Sequence, residues 1–490
     1  MFNNELWQKP AGGAGGAGFY THQIANSCRF DGAGKYLRTN GSAPTLATKY
    51  TFSTWVKRSK LSASMCLIAS ETNNINYDDF NFNSSNQLYQ TSQRSTTYET
   101  YDVSVYRDIS AYYHVVFQWD TTLASATDRM KVYVNGVRLA WDQTTYSGAI
   151  PQDTALKLNE NGASLSVGYS VSNARIFNGY MAQTAGIDGS IVAIGDLGET
   201  KNGVWIAKDL SGLTFGNNGF LLDYALSGDM GNDVSGNNND FTPTSISPHD
   251  QMLDSPTFNS NSNGGNFCTW NILSRTNPAL SYGASTFSEG NLAFAGATGG
   301  TASTGSTFSM QSGKWYTEVM QSGSPAGGWP AAGVIYTDKM GTAQGTSNIQ
   351  PQNGFTAFIA MTNGDLYKFD ASPAASYGSA FGNGDICNIA VDIDAGKIWW
   401  GKNGTYFASG NPVTGANPGD TFTAGTVLSL WVAGYNGSGT SILNAGQDGT
   451  FAGAKTAQGN SDDTGYGNFY YDPPTAFLAL CAGNLSASGA

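Results

Sequence analysis

Charged side chains are scarce in this sequence. Asp, Glu, Lys and Arg make up 12% of the 490 residues, about half of the ~25% common in soluble proteins. The net charge of −12 is spread thinly, and Lys and Arg form no cluster. A protein that binds nucleic acid needs such a cluster to displace counterions from phosphates. We therefore expect no nucleic-acid ligand.

Histidine and cysteine are also rare, with three and five copies. No cysteine pair has the CxxC spacing of a zinc site, and no cysteine and histidine stand at zinc-ligand spacing. The scattered cysteines are expected to be buried thiols of a chain assembled in a reducing cytoplasm. They are Cys28, Cys66, Cys268, Cys387 and Cys481.

Long apolar runs are missing as well. No stretch reaches the ~20 apolar residues that span a membrane, and residues 1–7 lack the basic start and apolar core of a signal peptide. We expect no membrane insertion and no export by a standard signal route.

Glycine and aromatic residues are abundant. The chain holds 62 Gly, 40% hydrophobic and 12% aromatic residues, which is enough apolar area for packed cores with many tight turns. Gly, Asn, Thr or β-branched residues interrupt almost every candidate helix. Period-two alternation bounded by Gly, Asn and Asp instead predicts short strands at close spacing, as in a sandwich or barrel. The sequence predicts an all-β fold.

The predicted strands form two blocks. The first includes residues 50–57, 113–119, 130–137 with an Asn135–Gly136 hairpin turn, 164–169, 177–185 and 220–224. The second includes residues 314–319, 386–393, 397–400 and 427–433. We predict an N-terminal anchor and tether over 1–23, a β-sandwich over 24–226, a Gly/Asn-rich linker over 227–266 and a second β-sandwich over 267–490.

The N-terminus combines an apolar segment with a flexible one. Residues 11–18 read AGGAGGAG, a tether, and they follow Phe2, Leu6 and Trp7. This segment is either a frayed terminus or an anchor peptide that docks on a neighbouring subunit.

Both blocks resemble known families. Residues 50–59 (YTFSTWVKRS), 112–122 (YYHVVFQWDTT), 129–139 (RMKVYVNGVRL) and 177–189 (FNGYMAQTAGIDG) resemble the middle strands of a laminin-G or concanavalin-A-like jelly roll. Residues 313–319 (GKWYTEV) and 384–404 (GDICNIAVDIDAGKIWWGKNG) resemble a SPRY domain. The whole layout, with MFN at the start, GNDVSGNNNDF at 231–241 and GYGNFYYDPPTAFLALCAGNL at 465–485, is similar to bacteriophage tail-fibre and virion structural proteins.

That resemblance implies a location on the surface of a phage particle, with assembly in the host cytoplasm. It implies contacts to other virion proteins through the N-terminus, a host surface glycan as ligand and a homo-oligomer, with a trimer favoured. It implies no obligatory cofactor. Calcium is an open alternative, because Asp31, Asp120 and Asp142 are available as ligands, but Gln183 stands where jelly-roll relatives often carry an acidic residue.

We expect no enzymatic activity. His22, His114 and His249 are the only histidines, His114 lies within a strand pattern, and no Gly-x-Ser-x-Gly elbow accompanies them. Two carboxylate pairs have spacings that a glycan hydrolase could use, Asp392/Asp394 and Asp229/Asp233. We interpret the first pair as strand-end and turn residues and the second as loop residues.

Recognition is expected at loops on the ends of the sandwiches, where aromatic residues stand beside Gly or Asn. These candidates are Trp141, Tyr146, Trp329, Tyr336 and Tyr435. The favoured function is a tail-fibre adhesin that binds host glycans. The alternatives are a capsid decoration or tail connector protein with purely structural contacts and, less favoured, a glycan depolymerase.

Overall fold

The computed structural model describes residues 19–73, 76–142, 149–258, 263–275, 285–297, 301–325, 328–341, 354–369, 376–435 and 439–488. They fall into two compact units, an N-terminal unit within 18–258 and a C-terminal unit within 259–490. In these ranges neither α-helix has the length and apolar character to cross a membrane. Phe2, Leu6 and Trp7 lie outside the described residues.

The N-terminal unit is built almost entirely of strands, with one short helix, α1 (Ile194–Leu197). The strands are β1 Ser27–Asp31, β2 Tyr36–Asn40, β3 Lys49–Arg58, β4 Met65–Asn73, β5 Asn76–Phe82, β6 Leu88–Gln93, β7 Thr97–Asp102, β8 Tyr113–Asp120, β9 Met130–Val134, β10 Val137–Arg138, β11 Trp141–Asp142, β12 Ser164–Val167, β13 Tyr169–Ser170, β14 Arg175–Ile176, β15 Asn178–Asp188, β16 Gly198–Lys201, β17 Val204–Ala207, β18 Phe220–Leu222, β19 Thr242–Thr244 and β20 Gln251–Met252.

Two antiparallel sheets form this unit. Sheet I has the order β10-β9-β8-β3-β15-β1-β20, with β18 also paired to β15, and sheet II has the order β11-β7-β6-β5-β4-β12-β2-β19. Their inner faces share one core in which Phe52 of sheet I and Phe80 of sheet II meet edge to face. The alternation that predicts strands 50–57 and 113–119 places apolar side chains such as Phe52 on the inner face of sheet I, as in other β-sandwiches.

The outer face of sheet I is covered by the unit's own chain. Val116, Ile187 and Leu221 on that face pack against Leu197, Leu210 and other apolar residues of the 192–215 segment. This covering buries a second, smaller apolar cluster, so sheet I has apolar residues on both of its faces.

The predicted linker over 227–266 is wrong for its first 32 residues. Strand β19 pairs with β2 and strand β20 pairs with β1, so the chain up to residue 258 belongs to the N-terminal unit. Buried ion pairs fasten this segment: Arg29 contacts Asp250 at 3.2 Å and Lys57 contacts Asp254 at 2.7 Å. The segment also buries Met230, Phe241 and Met252, so apolar packing and ion pairs both attach it to the unit.

The C-terminal unit begins at residue 259 and is again mainly strand. Its elements are β21 Thr286–Ser288, β22 Ala293–Ala295, β23 Thr301–Met310, β24 Lys314–Ser322, β25 Ala331–Tyr336, β26 Thr356–Ala360, β27 Leu366–Tyr367, β28 Ile386–Asp392, β29 Lys397–Lys402, β30 Thr405–Tyr406, β31 Asp420–Thr421, β32 Leu428–Tyr435, β33 Thr440–Asn444, β34 Leu478–Ala479 and α2 Ala482–Ser488.

Two sheets also form this unit. Sheet III has the order β21-β22-β33-β24-β28-β29-β30, with β31 paired to β29 and β34 paired parallel to β24, and sheet IV has the order β23-β32-β25-β26-β27. The indole Nε1 of Trp400 in sheet III donates to the carbonyl of Ala332 in sheet IV at 3.2 Å, across the shared core. The predicted all-β class with two sandwiches in series is therefore confirmed.

Buried carboxylates hold the long irregular chain after β33. Glu318 accepts hydrogen bonds from the backbone N–H groups of Tyr470 and Tyr471 and from the side chains of Tyr316 and Asn444, at 2.7–3.1 Å. Burial raises the pKa of Glu318 to about 7, and these four donors act in the opposite direction.

Two further acids fasten the same chain. Asp462 accepts the backbone N–H groups of Thr464, Tyr466 and Ala479, and Asp448 accepts those of Thr450 and Ala452. Backbone groups that regular strands would pair are thus satisfied by side-chain oxygens.

Candidate functional site

The outer face of sheet II is polar and aromatic. In β5, Phe80 and Phe82 point into the core, so alternation places Tyr77, Asp79 and Asn81 on the opposite face. The strand register extends this face into two cross-strand rows. One row is Tyr101–Tyr89–Asn81–Cys66 and the other is Glu99–Thr91–Asp79–Ala69–Ser166–Arg38.

Asp79 is the centre of this face. Its Oδ2 accepts hydrogen bonds from Ser170 Oγ at 3.2 Å, Asn173 Nδ2 at 2.7 Å and Arg175 Nη1 at 3.1 Å, and its Oδ1 accepts one from Asn81 Nδ2 at 2.7 Å. Burial raises the pKa of Asp79, and the guanidinium of Arg175 opposes that shift. The carboxylate organises four side chains from two elements.

Through these contacts Asp79 helps to fasten the β13–β14 hairpin onto sheet II. A second carboxylate, Glu71, accepts the backbone N–H of Ser172 at 2.9 Å and also its hydroxyl. Asp79 thus binds both strands of the hairpin, and Glu71 on the neighbouring strand binds the turn between them. Side chains on this hairpin are fixed relative to the sheet, as a preorganised binding surface requires.

The amide oxygen of Asn81 on this face lacks a hydrogen-bond partner among the described residues. Asn81 is fully buried. Half-buried Tyr89 and Tyr101 lie beside it in the same row, and Arg175 lies over the Tyr89 ring at 5.2 Å. A buried acceptor without a donor marks a place where water or a ligand hydroxyl completes the structure.

A second group of side chains lies on the same face beyond the hairpin. The rings of Tyr36 and Tyr169 stack at 4.8 Å with an interplanar angle of 24°. The guanidinium of Arg38 lies 4.8 Å from the Tyr36 ring centre, and its Nε donates to Ser166 Oγ at 3.0 Å. These residues extend the polar and aromatic character of sheet II toward its β2 edge.

His114 lies on the outer face of sheet I and forms a pair with Ser53. Ser53 Oγ and His114 Nε2 are 2.8 Å apart, which is the distance of a nucleophile–base pair. However, the indole N–H of Trp205 donates to His114 Nδ1 at 2.9 Å, and an indole nitrogen can only donate. The imidazole therefore carries its proton on Nε2 and donates to Ser53 instead of accepting its proton.

Burial supports the same interpretation of His114. Burial lowers the pKa of His114 to about 3, so the ring is neutral at physiological pH. Trp55 stacks on it at 4.6 Å with an interplanar angle of 17°. The imidazole is held as a packed, hydrogen-bonded part of the sheet.

The first of the two carboxylate pairs, Asp392 and Asp394, binds backbone N–H groups. Asp392 pairs with Lys314 at 3.2 Å and accepts the N–H of Ala395, while Asp394 accepts the N–H of Gly313. These contacts agree with the predicted strand-end and turn roles.

The second pair lies in the loop that follows β18. Asp233 accepts the N–H groups of Leu221, Ser235 and Asn239 at 2.8–2.9 Å, and Asp229 accepts that of Gly231. Asp233 is thus the residue around which this loop folds, a role that the sequence does not predict.

The sequence-predicted aromatic candidates do not form one site. The backbone of Trp141 pairs with Asp102 at the β11 edge of sheet II, and Tyr146 lies outside the described residues. Tyr336 is half-buried and stacks on Phe369 at 4.5 Å, so packing accounts for it.

Trp329 and Tyr435 belong to the opposite end of sheet IV from Tyr336. Strand β25 begins two residues after Trp329, and Ala331 pairs with Ala433 two residues before Tyr435. Trp329 is 43% exposed, and Tyr435 is half-buried. This end remains a candidate contact surface of the C-terminal unit.

Two of the three proposed calcium ligands, Asp31 and Asp120, form ion pairs with lysines. Asp31 pairs with Lys35 at 3.2 Å and Asp120 pairs with Lys49 at 3.1 Å. Within the described part of the chain, no three His, Cys, Asp or Glu residues lie together as a metal-ligand group. Gln183 is buried at a bulge of β15 and donates to the carbonyl of Lys208, so it serves the fold.

The sequence prediction missed the outer face of sheet II because it assigned recognition to the rim loops. The signal was present in residues 76–82 (NYDDFNF), where Tyr, Asp and Asn alternate with Asp and Phe. A solvent-exposed sheet face normally carries polar residues such as Thr, Lys or Glu. Asp79 and Asn81 are buried on this face, which distinguishes it from an ordinary solvent-exposed face.

Comparisons with known proteins concern the fold. Residues 31–188 match the family model of the concanavalin A-like lectin/glucanases superfamily, named Laminin_G_3. No curated protein matches the sequence significantly.

Three solved structures are similar to parts of the chain. The SPRY domain of human HERC1 has a TM-score of 0.28 at 15% identity and covers 36% of this chain and 96% of its own. A heptameric SAP-like pentraxin from Limulus polyphemus has a TM-score of 0.27 at 14% identity, and the match covers 35% of this chain and 80% of the pentraxin chain. A putative carbohydrate binding protein from Bacteroides ovatus has a TM-score of 0.33 at 15% identity, and the match covers 46% of this chain and 60% of the other chain. The segment that the family model matches, residues 31–188, contains most of sheet II.

Proposed function

We propose that this chain is a non-enzymatic surface protein of a bacteriophage particle, a tail-fibre adhesin that binds host surface glycans. The observation that carries the binding proposal is the outer face of sheet II, where half-buried Tyr89 and Tyr101 lie in one cross-strand row with Asn81, which bonds to Asp79. Sugars are recognised by aromatic faces together with carboxylate and amide groups that bond to hydroxyls. The concanavalin-A-like match of residues 31–188 supports this choice.

The binding surface in this proposal differs from the rim loops favoured by the sequence. The outer face of sheet II carries a rigid set of polar groups. The rim candidates do not lie together: Tyr336 is packed against another side chain, and Trp329 and Tyr435 belong to the opposite end of sheet IV. A weak monovalent contact gains strength when several copies bind together, which suits a homo-oligomer such as a trimer. In the proposal residues 1–18 attach the chain to other virion proteins.

The absence of catalysis belongs to the same proposal. The Ser53–His114 pair has the wrong tautomer for attack, and the acids of both carboxylate pairs accept backbone N–H groups. Incubation with purified host polysaccharide is expected to release no reducing ends. Release by this chain would instead support a depolymerase.

Binding is tested with the purified full chain on an array of bacterial surface polysaccharides. The Tyr101→Ala variant is expected to weaken binding at least tenfold, because it removes a half-buried ring from the proposed surface. The matched control is Trp329→Ala, which removes an exposed ring from the C-terminal unit. Loss of binding only in the control would move the site to sheet IV, and failure of the full chain to bind any glycan would overturn the proposal.

Location on the particle is tested by electron microscopy with a label on this chain. Distal labelling and loss of adsorption after deletion are expected for an adhesin. Ordered labelling of the head with normal adsorption would replace the adhesin with a capsid decoration protein. Deleting residues 1–18 is expected to release the chain from the particle, and retention would contradict the anchor.

A further inference from the structure

Arg38 is a cation on the glycan-facing side of sheet II that no described acid neutralises. Its neighbours across the strands are Ser166 of β12 and Thr242 of β19, both uncharged. Its Nη2 is shielded from solvent and has no hydrogen-bond partner among the described residues. A shielded guanidinium nitrogen without an acceptor is costly, so the described residues leave the charge of Arg38 poorly satisfied.

The orientation of Arg38 is fixed by its surroundings. Ser166 Oγ takes the Nε proton, and the rings of Tyr36 and Tyr169 lie 4.8 and 5.9 Å from the guanidinium carbon. Because Nη2 is shielded, the ligand contact in this proposal falls to Nη1. An arginine guanidinium forms strong, charge-assisted hydrogen bonds with carboxylate and sulfate oxygens.

Arg38 and Asp79 belong to the same cross-strand row. Three strand steps separate them, through Ser166 and Ala69, so their backbones are about 14 Å apart at the usual strand spacing of ~4.8 Å. An extended oligosaccharide can therefore contact Arg38 and, at once, half-buried residues that bond to Asp79, such as Asn173 and Arg175. The chain as a whole has a net charge of −12, so an acidic ligand would be repelled unless a local cation met its charge.

We propose that the glycan bound by sheet II carries an acidic group, a uronic acid carboxylate or a sulfate, and that Arg38 binds it. The inference rests on the proposed glycan-binding function and adds the chemical class of the sugar. Stacked Tyr36 and Tyr169 form the apolar side of this subsite, and Arg38 supplies its charge.

The test uses bacterial polysaccharides printed in native form and after chemical reduction of their carboxyl groups, with sulfated galactans as a third arm. The native chain is expected to bind an acidic polymer at least tenfold more tightly than its reduced partner. Arg38→Gln is expected to abolish that preference, and Arg38→Lys to keep only part of it, because an ammonium lacks the planar shape of the guanidinium. Arg138→Gln is the matched control, since Arg138 is an exposed cation paired with Asp128 on sheet I.

Each outcome decides the inference. Equal binding of native and reduced polymers overturns it and leaves the proposed function intact. An acidic preference that persists in Arg38→Gln overturns the assignment to Arg38. Failure to bind any polymer overturns both proposals. Preference for the sulfated arm alone supports the subsite and identifies the acid as a sulfate. Thermal unfolding of each variant within about 2 °C of the native chain confirms that the comparison is between folded proteins.

Discussion

Trp205 Nε1 donates a 2.9 Å hydrogen bond to His114 Nδ1 and so fixes the imidazole in the tautomer that carries its proton on Nε2. The contact joins the β16–β17 hairpin to strand β8 of sheet I. It needs close approach: a Cβ on Gly136, which has a φ of +78°, would lie 2.5 Å from the Trp205 ring. The Asn135–Gly136 turn that the sequence predicts therefore also makes room for Trp205.

The neutral state of His114 predicts a pH dependence of stability. An unfolded histidine binds a proton near pH 6.5, whereas burial keeps the folded ring neutral down to about pH 3. The folded pKa is the lower one, so this stabilisation is complete above pH 6.5 and is lost as the pH falls toward 3. Between pH 6.5 and 4 we expect a loss of about 3 kcal/mol in the unfolding free energy from this group.

Urea unfolding at a series of pH values measures this loss, with His114→Gln as the comparison. The variant is less stable at pH 7 but is expected to show a correspondingly flatter profile below pH 6.5. A carbon-13 resonance of the His114 ring is expected not to titrate between pH 4.5 and 8. A midpoint near 6.5 for that resonance would contradict the buried, hydrogen-bonded arrangement.

Asp250 is predicted to be essential for the N-terminal unit. Asp250→Asn leaves the fully buried Arg29 beside a neutral carboxamide, and Lys35 loses its 2.8 Å partner. Removing one partner of a buried ion pair costs about 3–5 kcal/mol. Chemical denaturation followed by tryptophan fluorescence checks this value, and a change below about 1 kcal/mol would show that the segment up to 258 is not integral to the unit.

Asp79→Ala is predicted to loosen the β13–β14 hairpin. The change removes three acceptor contacts to that hairpin and leaves Arg175 without its carboxylate. Hydrogen exchange across residues 169–176 is expected to accelerate, with a loss of about 1–3 kcal/mol in stability. Asp128→Asn is the control, because its pair with Arg138 is exposed and contributes less than about 1 kcal/mol. Unchanged exchange in Asp79→Ala would mean that Glu71 alone holds the hairpin.

Glu318→Gln is predicted to destabilise the C-terminal unit. Both carboxyl oxygens of Glu318 accept backbone N–H groups, one from Tyr470 and one from Tyr471. A carboxamide can accept on one side only, so its NH₂ must face an N–H group. We expect a loss of about 2–4 kcal/mol and faster exchange over residues 465–475. Native-like stability of this variant would contradict the central role given to Glu318.

The sequence could predict the elements rich in residues that favour strands. Predicted strands 113–119, 314–319 and 386–393 correspond to β8, β24 and β28, which are buried over almost their whole length and are rich in β-branched and aromatic residues. It could not predict that residues 227–258 close the first unit. Asp250 contacts Arg29, which is more than two hundred residues away in the sequence, and such a contact cannot be inferred from local composition.

The proposed binding surface was not predicted from the sequence for a related reason. Tyr and Asn at positions 77, 81, 89 and 101 become neighbours only when the register of β4 to β7 is known. The rim candidates were chosen by local turn composition, which identified exposed Trp329 but also Tyr336, whose ring is stacked in the C-terminal unit. Pairwise register is set by the whole sheet and is not encoded in any single segment.

Asp448 and Asp462 bind the main chain, and this affects which residues of the loop between them can be substituted. Because these acids bind backbone N–H groups, the loop between them keeps its path whatever most of its side chains are. Exposed positions such as Thr456 and Gln458 can then change identity at little energetic cost. The C-terminal unit offers a natural scaffold on which new recognition surfaces can be selected while two acids preserve the frame.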